Sequence, residues 1–134
     1  MQRKTARENA FLLIFESVFK NDETAEEIFT KATELRGLEY DDYVKQVFFG
    51  ISENRRIIDE LIDESIVGWK KERISPVSGA VIRLAVYEMM FIEDIPVRVS
   101  INEAIELSKK YDDEKAYAFV NGVLNAAADA LKKK

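Results

Sequence analysis

The chain has 134 residues, 47% of them hydrophobic, with only five glycines and two prolines, which fits one domain of long helices and few loops. It carries no cysteine, no histidine and a net charge of −5. These counts exclude a disulfide framework and thiolate chemistry, remove the commonest general base and metal ligand, and leave no overall pull towards nucleic acid. No apolar run approaches the ~20 residues of a membrane span. The opening Met1-Gln2-Arg3-Lys4 leads into an amphipathic pattern and not a signal-peptide core, so the cytoplasm is the default location. No matched carboxylate constellation stands out. No catalytic residue, metal or cofactor is expected.

Thr5-Ala-Arg-Glu8 has the form of a capping box and predicts a helix to about Lys20. At ~100° per residue, Ala10, Phe11, Ile14 and Val18 form an ordinary core stripe, and Leu12, Phe15 and Phe19 widen it. The apolar arc reaches roughly 200°, twice what a core-facing stripe needs. Such a helix is either buried on two sides or meets a partner. Basic residues gather at the chain's ends, with Arg3, Lys4 and Arg7 at one and Lys132 to Lys134 at the other. Each cluster reads either as a solvated tail or as a local phosphate contact.

Thr24-Ala-Glu-Glu27 is a second capping box, and Gly37 suits the stop of the helix that follows. A third helix is expected from about Asp41 to about Ile66, with Gly50 bending it or allowing close packing. The stretch Gly68 to Arg73 reads as a connector. Ser75-Pro76 then places an N-cap before a proline at the first helical position. That helix should end before Ile95-Pro96. Ser100-Ile-Asn-Glu103 forms a third capping box for a helix to about Tyr111, and a last helix is expected from about Glu114 to Leu131. The fold is therefore all-α. Its organisation is one domain of two small three-helix-bundle halves, about 1–67 and 68–134.

The last helix contains FVNGVLN, residues 119–125. Asn-Gly is a strong turn signal, but the stripe Ala116, Val120, Val123, Leu124, Ala127 runs through it, so a helix is expected. Phe119 lies on the shoulder of that stripe beside Gly122 and Ala126. It is either a peripheral core phenylalanine or a flat platform on which an RNA base could stack. Gly122 is open to a matching pair of readings, close helix packing or clearance for that base.

These segments resemble the NusB family of transcription antitermination factors. The resemblance rests on Ala6-Arg7-Glu8 with the apolar helix after it, AVIRLAVYE (80–88), IPVRVSINEAIELSKKY (95–111) and FVNGVLN. It implies a helical domain that pairs with NusE, a small-subunit ribosomal protein. It further implies binding of single-stranded boxA RNA within the RNA polymerase antitermination complex, notably on ribosomal RNA operons. RNA contacts would be Arg3, Lys4, Arg7, Glu72 and Phe119. The NusE face would use Leu12, Phe15 and Phe19, together with Ser78, which stands where the family often has an acidic residue that touches NusE. Gly79 replaces a frequent basic residue there, Thr5 stands where an arginine is found, and Asn125 replaces a frequent aspartate. A homodimer is left open, since some NusB-like proteins self-associate. Two other readings remain. One is a protein-interaction module without RNA contact. The other is an RNA-binding domain like those that begin certain RNA cytosine methyltransferases, whose Gly-rich cofactor loop these 134 residues lack.

Overall fold

The computed structural model describes residues 1–66 and 74–132. Among them are seven α-helices and no strand: α1 Arg3–Val18, α2 Ala25–Thr30, α3 Asp42–Glu53, α4 Arg55–Ser65, α5 Pro76–Phe91, α6 Val97–Tyr111 and α7 Ala116–Ala130. The all-α expectation holds. No helix among the described residues is long and apolar enough to cross a membrane.

Local signals set some helix ends as read from the sequence. Thr24 and Glu27 close a reciprocal capping box, each side chain accepting the other's backbone N–H at 3.1 and 3.0 Å. After α2 the chain winds into a π-helical turn, Lys31–Leu35. It stops at Gly37, whose φ of +74° suits a residue without Cβ, and the Leu38 N–H returns to the Ala32 carbonyl at 2.9 Å. Ser75 caps α5 by accepting the Ser78 N–H at 3.0 Å, with Pro76 at the first helical position. FVNGVLN lies wholly within α7.

Two expected capping boxes do not form. Helix α1 starts at Arg3, two residues before the place that Thr5 would cap. The Glu8 carboxylate does not reach back to Thr5. It accepts hydrogen bonds from the Lys110 ammonium and the Tyr111 hydroxyl, which clamp α1 to the end of α6. Helix α6 starts at Val97, three residues before Ser100, and Ser100 is buried inside it. The expected single helix from Asp41 to Ile66 is two helices. The break is at Asn54, with φ −110° and ψ 21°. Its side-chain amide and its backbone N–H both donate to the Gly50 carbonyl, at 2.8 and 3.0 Å, so a local bond replaces helical continuation. Gly50 itself serves close packing and not the bend. A methyl group there would run into the Tyr87 ring of α5.

Helix α4 packs chiefly on α5 and α7, although it precedes the connector. Helix α5 touches α1, α3, α4, α6 and α7, and residues on every side of it are buried, from Ala80 and Ile82 to Val86 and Met89. A helix buried all round is the centre of a core. One continuous apolar cluster spans α1 to α7.

Within that cluster sits Glu88, fully buried. Its carboxylate accepts hydrogen bonds from Arg7 Nε of α1 at 2.8 Å, from Ser100 Oγ of α6 at 2.7 Å and from the Tyr43 hydroxyl of α3. Burial works against the charge on Arg7, but its bond to Glu88 and their mutual attraction carry its pKa above the ordinary value. Burial and the adjacent carboxylate push the Tyr43 phenol far upward, so it remains a donor.

Removing the acceptor leaves a buried cation without its partner. Glu88→Ala is therefore expected to lose about 3–5 kcal/mol, whereas Ser100→Ala, which removes one donor, loses about 1.5–3 kcal/mol. Urea unfolding measures both, and equal losses would mean that Glu88 acts only as filler. The Glu8 clamp has a pH signature. Hydrogen bonds from Lys110, then Tyr111, hold the Glu8 pKa below the ordinary carboxylate value. Its contribution is therefore present above the unfolded pKa of about 4.3 and is lost as pH falls through the lower folded value. Glu8→Gln should flatten the acid limb of the melting temperature below about pH 4 and, because Glu8 also raises the Lys110 and Tyr111 pKa values, flatten the alkaline limb above about pH 10.

Candidate functional site

Helix α1 brings the expected residues to its two ends. At ~1.5 Å per residue, its N-terminal cations and its C-terminal phenylalanines are separated by about 20 Å along one rigid element.

At the N-terminal end Arg3 and Lys4 are exposed. The Arg3 guanidinium carbon lies 4.3 Å from the centroid of the Tyr43 ring, and Lys4 Nζ is 3.7 Å from Glu103 Oε1. Arg7 departs from the expectation of an open phosphate contact. It is 5% exposed, committed to Glu88, and its second nitrogen is 3.6 Å from Glu103. Beside these residues a shallow groove of about 140 Å³ runs between α1 and α6, lined by Lys4, Arg7, Glu8, Glu103, Glu106 and Lys110 with Leu107. Its cations and carboxylates alternate, so the site is mixed in charge. The cations not buried in internal pairs are chiefly Arg3 and Lys4.

Phe119 is 9% exposed and belongs to the apolar core. An open ring face for a base is at odds with that burial. Gly122, by contrast, lies on the exposed side of α7, so close helix packing does not account for it. Next to it the Asn125 amide donates to the Asn121 carbonyl at 2.8 Å, which ties the exposed surface of this turn together. Glu72 lies outside the described residues, as does the rest of the connector.

At the other end of α1, Leu12, Phe15 and Phe19 line an open groove of about 520 Å³ with Ala32 and Leu38. Phe15 and Phe19 meet edge to face at 5.1 Å, and Phe19 is 62% exposed. Leu35, on the π-helical turn, is 78% exposed. The rim is polar: Glu16 pairs with Lys20 and with Arg36, both at 2.5 Å. Of the two readings of the wide apolar arc, burial on both sides is thus excluded for Phe19. Ser78 does not join this face. It is 2% exposed, and its hydroxyl donates to Asp112 Oδ2 at 2.7 Å, fastening α5 to the end of α6. Burial raises the Asp112 pKa, but bonds from Ser75, Ser78 and the Asp113 backbone outweigh it and hold the carboxylate below its ordinary value.

The sequence reading gave Tyr43 and Glu88 no role beyond their helices and took Ser100 for a helix cap. Glu88 carried a signal, a lone carboxylate in an otherwise apolar stretch, but nothing in periodicity names its donors. Among the described residues no group of acidic side chains is arranged to hold a metal ion.

Known proteins share this architecture along its length. The model of the NusB family matches residues 4–129. Transcription antitermination protein NusB of Bacillus licheniformis is 45% identical over 125 residues, which cover 93% of this chain and 95% of that one. Its counterpart in Natranaerobius thermophilus is 39% identical over 137 residues, 99% of each. Among solved structures, T. maritima NusB superposes with a TM-score of 0.83 at 37% identity, covering 96% of this chain and 92% of that one. A chain from a crystal structure of antitermination factors NusB and NusE with dsRNA has a TM-score of 0.82 at 30% identity, covering 96% of each. With near-complete coverage in sequence and in fold, the chain belongs to the NusB family.

Proposed function

We propose that this protein is a transcription antitermination factor that pairs with a NusE-type ribosomal protein and binds single-stranded boxA RNA in nascent transcripts, notably those of ribosomal RNA operons. The observation that carries the reading is the division of α1. One end offers exposed Arg3 and Lys4, and the other offers the groove of Leu12, Phe15 and Phe19. A cationic end suits a nucleic-acid backbone, and an open apolar groove with a charged rim suits a protein partner. The related structure that holds NusB, NusE and dsRNA together supports both halves of the reading. The pair acts by binding, without a chemical step, in the cytoplasm and as part of the RNA polymerase antitermination complex. The two-ended geometry disfavours a module that touches protein alone.

Single-stranded RNA is the preferred form, because sequence reading in RNA depends on unstacked bases. Few open cations mean weak binding by this chain alone, so the partner should strengthen it. A titration of boxA-type RNA with the protein, alone and premixed with its cognate NusE, is expected to show a marked gain on premixing. Single strand should bind more tightly than duplex of the same sequence. Equal affinity with and without NusE would count against the pair.

Phe15→Ser with Phe19→Ser should abolish that gain while leaving helicity nearly intact, because Phe19 is exposed and Phe15 lines the groove. Loss of folding in this double variant would move the face into the core. Phe119 has a different expectation. Its burial makes Phe119→Ala chiefly a stability change, about 3 kcal/mol for a phenylalanine at a core edge. A variant that melts as the wild type but loses RNA would instead place the ring on the RNA.

A further inference from the structure

Two guanidinium groups approach one tyrosine ring. Arg7 stands 5.9 Å from the Tyr43 centroid and Arg3 stands 4.3 Å from it. Their situations differ. Arg7 is buried and held by Glu88 and Glu103. Arg3 is exposed, and among the described residues no carboxylate pairs with it. The ring beneath is itself fixed: Tyr43 is 6% exposed, and its hydroxyl is bound to Glu88. A planar cation is thus held over a rigid ring at the surface of the charged end of α1.

We propose that the Arg3 guanidinium, supported by the Tyr43 ring, is the stacking platform for one unstacked RNA base, with Tyr43 as its positioning residue. This rests on the RNA-binding reading above and gives it a specific subsite. The chemistry has three parts. A guanidinium plane accepts a base on its face as an aromatic ring does. Cation–π attraction to Tyr43 holds one face of the plane and lowers the ordering cost when a base meets the other. The charge also sits where a strand's phosphates must pass. In this arrangement Arg7 is the internal anchor of α1, and Phe119, buried on α7, is not required as the open platform. Lysine would keep the charge of Arg3 but not the plane.

The test uses boxA-type single-stranded RNA carrying 2-aminopurine at successive positions, bound by the protein premixed with NusE. The wild type should quench the fluorescence of one position through stacking on Arg3. Arg3→Lys should lose that quench and about three- to tenfold in affinity, with the salt slope unchanged. Arg3→Ala should also lower the log–log salt slope by about 0.7. Tyr43→Leu should match Arg3→Lys in quench and slope. Ser100→Ala removes another donor from Glu88, so it should melt lower yet bind and quench as the wild type. Arg3→Lys with wild-type affinity and quench would overturn the platform and leave the RNA reading standing. No RNA binding by the wild-type pair would overturn both.

Discussion

The Glu88 carboxylate is the constraint on which the rest of the arrangement depends. Desolvating a carboxylate costs several kcal/mol, and only good geometry with further hydrogen bonds offsets it. Here the offset comes from α1 through Arg7, from α3 through Tyr43 and from α6 through Ser100. An apolar residue at 88 could pack as well, but it would be indifferent to small rotations of its neighbours. Three directional bonds are not. The bond from Arg7 fixes the rotation of α1 about its own axis, and that rotation decides which α1 residues face water. Burial of Arg7, exposure of Arg3 and the outward turn of Phe19 are consequences of one setting.

On the proposed reading, this setting explains how a mostly acidic protein can carry a nucleic-acid surface. The cations of α1 are graded by depth. Arg7 is consumed internally, Lys4 leans towards Glu103, and Arg3 is left to the ring of Tyr43. The carboxylates Glu8, Glu103 and Glu106 share the same groove. Nonspecific attraction of phosphate is therefore weak, and stacking and a protein partner must supply what charge does not. The same rotation places the apolar groove at the far end of the helix, where a partner can seat without covering Arg3.

The sequence made the helices legible because their stripes and two of their caps are local. Thr24 with Glu27 and Ser75 with Pro76 act within four residues, and the folded chain keeps them. The patterns Thr5 to Glu8 and Ser100 to Glu103 look equally good but fail for one shared reason. Glu8 has Lys110 and Tyr111 as partners, and Ser100 has Glu88. These partners lie across the fold, and no window of sequence contains both members. Asn54 shows the opposite case, where a local side-chain bond overrides a continuous apolar stripe. The site followed the same division. Phe15 and Phe19 stood out through excess periodicity, which left burial on two sides and a partner both open until the fold placed Phe19 in solvent. Arg7 and Ser78 were not readable, because a polar residue's burial depends on a distant partner.

Depth also bears on what kind of change the protein tolerates at each position. On the proposed reading, a residue at the outer layer, such as Arg3, can change and alter binding alone. A change at Tyr43 or Arg7 acts on binding and on the helix packing together, since both reach Glu88. Binding and stability are thus coupled through a single buried carboxylate at one end of α1 and nearly separate at the other. Among the described residues, Phe19 has one ring contact, with Phe15 inside the groove, and no link to the Glu88 cluster. On the proposed reading, a partner that grips the groove therefore acts on the RNA end only through the rigidity of α1 itself. Sixteen residues of continuous helix, clamped to α6 by Glu8 and to α5 by Arg7, are stiff enough to carry that constraint without a change of shape.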